Sequence, residues 1–104
     1  MRRAAKTDRN QAEIVKALRA VGCSVQPLHA VGKGCPDILV GVPERSAVHS
    51  FFRPRKNLIL EIKDGAKSPS ERQLTPDQVK WHAAWRGAPV IVVENVDQAL
   101  EAVK

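Results

Sequence analysis

Three features of the chain predict an α/β sandwich in which helices flank a central mixed sheet. Four short apolar runs have strand length: residues 23–28 (CSVQPL), 38–42 (ILVGV), 57–63 (NLILEIK) and 89–94 (PVIVVE). Three other stretches carry helical spacing or helix-start chemistry, one before the first run, one between the last two and one at the end. The resulting order is α-β-β-β-α-β-α, without repeats and without a linker long enough to divide the chain. Residues 1–104 are therefore expected to form a single domain.

The first helix is predicted to start at Asp8 or Asn10, either of which has a capping side chain. Ala12, Val15, Leu18, Ala20 and Val21 then recur close to helical spacing, and Gly22 supplies the stop. The stretch VGKGCPD (31–37) is turn chemistry, with two glycines and a proline, and it sets Asp37 directly before the strand that Pro43 ends. Residues 43–57 form a connection that is basic at its end (Arg53, Arg55, Lys56) and carries Phe51 and Phe52. At about 15 residues it is longer than most connections in compact domains, and it reads either as a functional loop or as an extended hairpin. The run at 57–63 is the clearest strand. Thr75-Pro76-Asp77-Gln78 opens the next helix, with Thr at the N-cap, Pro at the first helical position and Gln at the third, close to a capping box. That helix is expected to run to Gly87, and a short one closes the chain at 96–104.

The net charge of +6 and a pI near 9.8 point to an anionic partner: nucleic acid, an anionic membrane surface or an acidic protein. With 43% hydrophobic residues the chain can bury a modest core. No apolar run approaches the roughly 18–20 residues that span a bilayer. The N-terminal MRRAAKTDRNQ is basic but has no apolar segment behind it, so no secretory signal is expected. A soluble cytoplasmic protein follows, with residues 1–7 as a flexible basic tail. Cys23 and Cys35, with His29 between them, show neither the CxxC pairs nor the HxxxH-type spacing of a zinc site, and are expected to be buried or half-buried free thiols.

Side chains two apart on a strand point the same way, so Glu61 and Lys63 share a face while Ile62 faces the opposite layer. Asp37 stands at the mouth of a strand expected to pair with this one, which brings Asp37 and Glu61 together. Two neighbouring carboxylates repel unless a cation neutralises them. A hard divalent ion does so through a few carboxylate oxygens, water and substrate phosphate, and the Ile62 backbone carbonyl is a natural further ligand. Lys63 then stands where it can orient or deprotonate an attacking water. The chemistry this predicts is Mg²⁺- or Mn²⁺-assisted phosphodiester hydrolysis. Singly, Glu61 and Lys63 read as a solvated strand end and Asp37 as a turn residue; the combination in a basic chain points to catalysis.

Pro36-Asp37 followed by Glu61-Ile62-Lys63 resembles the motif of the PD-(D/E)XK nuclease superfamily, and the element order is similar to its restriction-endonuclease-like αβββαβα core. Within it, EIKDGAKSPSERQLTPDQVKWHAAWRGAPVIVV most resembles the VRR-NUC (virus-type replication-repair nuclease) branch, with a likeness running from about Glu13 to Val93 and leaving the loop at 43–57 unplaced. The resemblance implies two more site residues. Glu13, on the first helix, matches a family glutamate that holds a metal-bound water or a second ion; by its chemistry alone it reads as a solvated helix residue. Gln78 matches a family glutamine that contacts the site or substrate, a role compatible with capping. The chain is similar to minimal stand-alone members, which implies a homodimer acting on branched DNA such as Holliday junctions or flaps.

Contacts to the DNA backbone are expected from Lys33, Lys67 and Arg72 near the site and from Arg53, Arg55 and Lys56, beside which Phe51 and Phe52 would either stack on DNA or pack in a core or dimer interface. Arg2, Arg3, Lys6 and Arg9 form a further basic cluster that either tracks phosphates or keeps a terminus solvated. Trp81 and Trp85, four apart, read as a core or interface stripe. His82 reads as a surface histidine, with a place near the site as the alternative; His29 and His49 carry no pattern. Two other functions compete: a non-catalytic nucleic-acid-binding module that keeps the nuclease fold, and an interaction subunit whose strand-end charges are incidental.

Overall fold

The computed structural model describes residues 9–45 and 52–104. Asp8, the basic cluster Arg2, Arg3 and Lys6, His49 and Phe51 lie outside the described residues.

Helix α1 (Gln11–Ala20) is seated by Ile14 and Leu18, one turn apart and both fully buried, with Gln11 buried and Val15 half-buried beside them. Ala12, Ala20 and Val21, expected on the apolar stripe, are exposed. The large aliphatic pair carries most of the apolar area, so it decides which face turns inward. Gly22, at φ +97°, ends the helix. Its N–H donates to the Arg19 carbonyl at 3.0 Å and the Cys23 N–H to the Leu18 carbonyl at 3.1 Å, the paired bonds of a Schellman stop.

Four strands follow: β1 (Ser24–Pro27), β2 (Ile38–Val42), β3 (Lys56–Ile62) and, after the second helix, β4 (Ile91–Val93). They lie side by side in sequence order, β1–β2 and β2–β3 antiparallel and β3–β4 parallel, so the sheet is mixed as predicted. A parallel pair needs a crossover. Here it contains a 3₁₀ turn at Pro69–Arg72, which the sequence did not suggest, and helix α2 (Pro76–Ala84). Helix α3 (Val96–Ala102) starts at Asn95, whose side chain accepts the Gln98 N–H at 2.8 Å.

The alternation along β2 and β3 divides the sheet. Ile38, Val40, Val42, Leu60 and Ile62 turn to one face and, with Val93, pack against Ile14 and Leu18 of α1 and Ala99 of α3, each 0–2% exposed. Leu39, Ile59 and Glu61 turn to the other face, toward α2. The predicted capping box opens α2: the Thr75 hydroxyl accepts the Gln78 N–H and the Gln78 side chain accepts the Thr75 N–H. No residue of α2 is buried. The helix stops at Ala84 rather than Gly87 because Trp85 leaves the helical conformation (φ −68°, ψ 123°) while its ring stacks on Trp81, centroids 4.9 Å apart. A cavity of about 360 Å³ remains between this end of α2 and the sheet, lined by Leu28, Leu39, Ile59, Trp81, Trp85 and Pro89 among others. Among the described residues no helix is long and apolar enough to cross a membrane.

Candidate functional site

The β2–β3 register pairs Ile38 with Leu60, and its continuation sets Asp37 opposite Glu61. The Asp37 N–H donates to the Leu60 carbonyl at 3.1 Å, and its carboxylate Oδ2 accepts the Ile62 N–H at 2.6 Å. A short bond from a backbone amide to a carboxylate is charge-assisted, and it locks Asp37 against the Glu-Ile-Lys segment. The Lys63 N–H donates to the Val93 carbonyl at 2.9 Å, carrying the ladder one residue past β3, so Glu61 and Lys63 stay on one face as the alternation predicts.

Glu61 is 1% exposed and Lys63 8%. Charged groups are buried this deeply only with partners, and α2 supplies them. Gln78 Nε2 donates to Glu61 Oε2 at 3.2 Å, Lys63 Nζ donates to Gln78 Oε1 at 2.8 Å, and His82 Nε2 meets Glu61 Oε1 at 3.0 Å. The amide of Gln78 can sit only one way round. An ammonium only donates and an ionised carboxylate only accepts, so its oxygen faces Lys63 and its nitrogen faces Glu61. Gln78 thus joins the capping box and the site in one side chain.

The surrounding backbone holds both halves of this group. In the loop ahead of Asp37, Gly32, Lys33 and Gly34 adopt positive φ (72°, 55° and 83°). A Cβ on Gly34 would run into the Asp77 carbonyl, so only glycine lets this loop lie against the first turn of α2. On the other side Asn10 Nδ2 donates to the carbonyls of Lys63 at 3.1 Å and Glu94 at 3.0 Å. Asn10 is the N-cap residue of α1, yet its side chain makes no cap bond and instead ties α1 to the ends of β3 and β4.

The electrostatics follow the geometry. Cys35, half-buried, has its thiol pKa raised by burial and then by the nearby charges of Glu61 and Asp37. His82 has its pKa lowered by burial and by the Lys63 ammonium. Cys23 is buried, and burial raises its thiol as well; both cysteines are free, as expected.

Asp37, Glu61, Lys63 and Gln78 therefore come together. Glu13 is exposed on the first turn of α1, close in sequence to Asn10 and outside the hydrogen-bonded group. Lys33 is exposed on the turn against α2, and Lys67 lies in the loop after β3, its N–H on the Asp64 carbonyl. Arg72 is engaged by Glu94, Nη1 lying 3.2 and 3.1 Å from the two carboxylate oxygens, which pins the 3₁₀ turn to the end of β4. Arg53, Arg55 and Lys56 are not part of this group. Lys56 opens β3 and Glu61 lies near its end, about 16 Å away at the rise of an extended strand. The Arg53 guanidinium donates to the carbonyls of Val103 at 2.6 Å and Pro43 at 2.9 Å, Arg55 pairs with Glu44 at 3.3 Å, and Phe52 is 63% exposed. His82, read by default as a surface residue with a place near the site as the alternative, meets Glu61, and its spacing of four from Gln78 is the signal that favours the alternative. Among the described residues no group of three or more His, Cys, Asp or Glu side chains is placed to hold a metal ion.

No family model matches the sequence, and no curated protein matches it. Among solved structures the chain is similar to a VRR-NUC domain, at 26% sequence identity over 91% of this chain and 90% of that one, with a TM-score of 0.58. The αβββαβα order agrees with this likeness: the chain resembles a VRR-NUC domain, a nuclease-type domain, and its four-stranded mixed sheet with flanking helices is consistent with the restriction-endonuclease-like fold.

Proposed function

We propose that the chain works as a single-domain, Mg²⁺- or Mn²⁺-dependent DNA endonuclease that hydrolyses phosphodiester bonds, prefers branched DNA such as Holliday junctions or flaps, and acts as a cytoplasmic homodimer. The observation that carries this reading is the group that buried Glu61 and Lys63 make with half-buried Asp37 at the end of β3. The donor set fits a hard cation: two carboxylates and the Ile62 carbonyl are oxygen ligands, few enough to leave coordination to water and phosphate. Asp37, Glu61 and the Ile62 carbonyl would hold the ion, with Glu13 reaching it through water. When bound, the ion stabilises the charge that develops on the phosphate.

Lys63 is the residue assigned to the attacking water. Its ammonium has three donors and Gln78 Oε1 takes one, which fixes the head group while leaving N–H groups for a water or a phosphate oxygen. Gln78 serves as the brace between Lys63 and Glu61. Lys33 and Lys67 flank this end of the sheet and are assigned to the DNA backbone, and the net charge of +6 supports a polyanionic partner. Arg72 would join them only by sharing its charge with Glu94.

The test is a cleavage assay on single-stranded, duplex, flap and Holliday-junction DNA of matched sequence, each with Mn²⁺, Mg²⁺ or EDTA. Metal-dependent cutting that favours the branched substrates is the expected result. The second reading, a nucleic-acid-binding module without catalysis, is favoured by one observation: among the described residues no three His, Cys, Asp or Glu side chains gather as a metal site. Binding to every substrate with no cutting under any metal would establish it instead.

A further inference from the structure

We propose that His82 is a positioning residue for Glu61, fixing the carboxylate in the orientation that receives the divalent cation. This rests on the reading of Glu61 as a metal ligand. Gln78 and His82 stand four apart on α2, which stacks them on one face of the helix, and each meets a different oxygen of the same carboxylate. A carboxylate held at one oxygen can still turn about its last bond; held at both by donors from one helix, it cannot.

The direction of the bond is set by chemistry. An ionised carboxylate only accepts, so the imidazole must present Nε2–H to Glu61. The contact is shielded from water: the His82 side chain is 16% exposed and that of Glu61 1%. Groups that orient a metal ligand in this way typically change metal affinity by about 10–100-fold when removed. Trp81 and Trp85 on the same helix interact with each other and line the apolar cavity, so within α2 it is Gln78 and His82 that tie the helix to the charged group.

The experiment compares wild type with His82→Phe, which keeps a ring but offers no donor, and His82→Gln, whose amide restores one. Mn²⁺ binding is measured by calorimetry on DNA-free protein, cleavage is followed against Mn²⁺ concentration, and DNA affinity is measured in EDTA. His82→Phe is expected to weaken Mn²⁺ binding about 10–100-fold and to shift the metal dependence of cleavage by the same factor. DNA affinity should stay unchanged, and His82→Gln should recover most of the loss. A His82→Phe protein with wild-type metal dependence, or a His82→Gln protein as impaired as His82→Phe, would overturn the role while leaving the nuclease reading intact. A wild type that neither binds Mn²⁺ nor cuts DNA would overturn that reading and this role with it. Ring ¹⁵N spectra of wild type provide a check that needs no variant to fold: the Nε2–H tautomer is expected, and a dominant Nδ1–H tautomer overturns the proposal.

Discussion

The two faces of the sheet are built on different physics. On the α1/α3 face, Ile14, Leu18, Ile38, Val40, Leu60 and Ile62 are 0–1% exposed and make a dry core. On the α2 face the helix buries no residue, its tryptophans border a cavity, and hydrogen bonds cross the gap: Gln78 and His82 donate to Glu61, and Lys63 donates to Gln78. The first face holds the fold. The second holds a charged group that could not have sat in the first without unmatched burial. Separating them lets α2 supply partners to the charged group while the core remains apolar, and under the proposed function it predicts that stability and activity respond to different substitutions.

The largest stability effect should come from the core face. Leu60→Ala is expected to cost about 2–5 kcal/mol by urea unfolding, and a loss no larger than that of an α2 substitution would break the comparison. Gly34→Ala acts at the boundary. Its φ of +83° and the Asp77 carbonyl beside it leave no room for a methyl group, so a cost of about 1–3 kcal/mol in thermal melts is expected. The displaced α2 should carry Gln78 and His82 off Glu61, and cleavage should fall further than the melt alone explains. Asn10→Ala removes two bonds to the strand ends and should cost about 1–2 kcal/mol. Trp85→Ala, at a ring 44% exposed, should cost about 1 kcal/mol or less, losing chiefly the stack on Trp81.

The smallest effect sharpens the electrostatic side. Because burial and the two carboxylates raise the Cys35 pKa, less thiolate is present near pH 8, and iodoacetamide should modify Cys35 several-fold more slowly in the native protein than in urea. Asp37→Asn removes one of the raising charges, so its Cys35 should react faster than that of wild type; an unchanged rate would mean that the carboxylate does not act on the thiol.

What could be read from the sequence was what depends on near neighbours in the chain. Period-two alternation set Glu61 and Lys63 on one face, the Thr75–Gln78 spacing located the start of α2 to the residue, and the apolar runs yielded the sheet. What could not be read depends on contacts distant in sequence. Asn10 looked like a helix cap, but its amide crosses to Lys63 and Glu94. His82 could be set near the site only as an alternative, because the carboxylate it meets is 21 residues away and the fold brings it near. Arg53 was expected in a DNA-facing arm, and the sequence did not show that its guanidinium also donates to the Val103 and Pro43 carbonyls. The end of α2 was misplaced because glycine marks a common stop, whereas here the chain departs from the helix at Trp85.

The central claim is that Lys63, held by Gln78 beside a metal-binding pair of carboxylates, works on the water that cuts DNA. The most direct measurement is single-turnover cleavage in saturating Mn²⁺ by wild type and Lys63→Ala, at DNA occupancies matched by anisotropy and with both proteins shown to be folded. The account predicts a loss of at least about 1,000-fold in the variant, roughly 4 kcal/mol of transition-state stabilisation. Equal rates from the two proteins would contradict it.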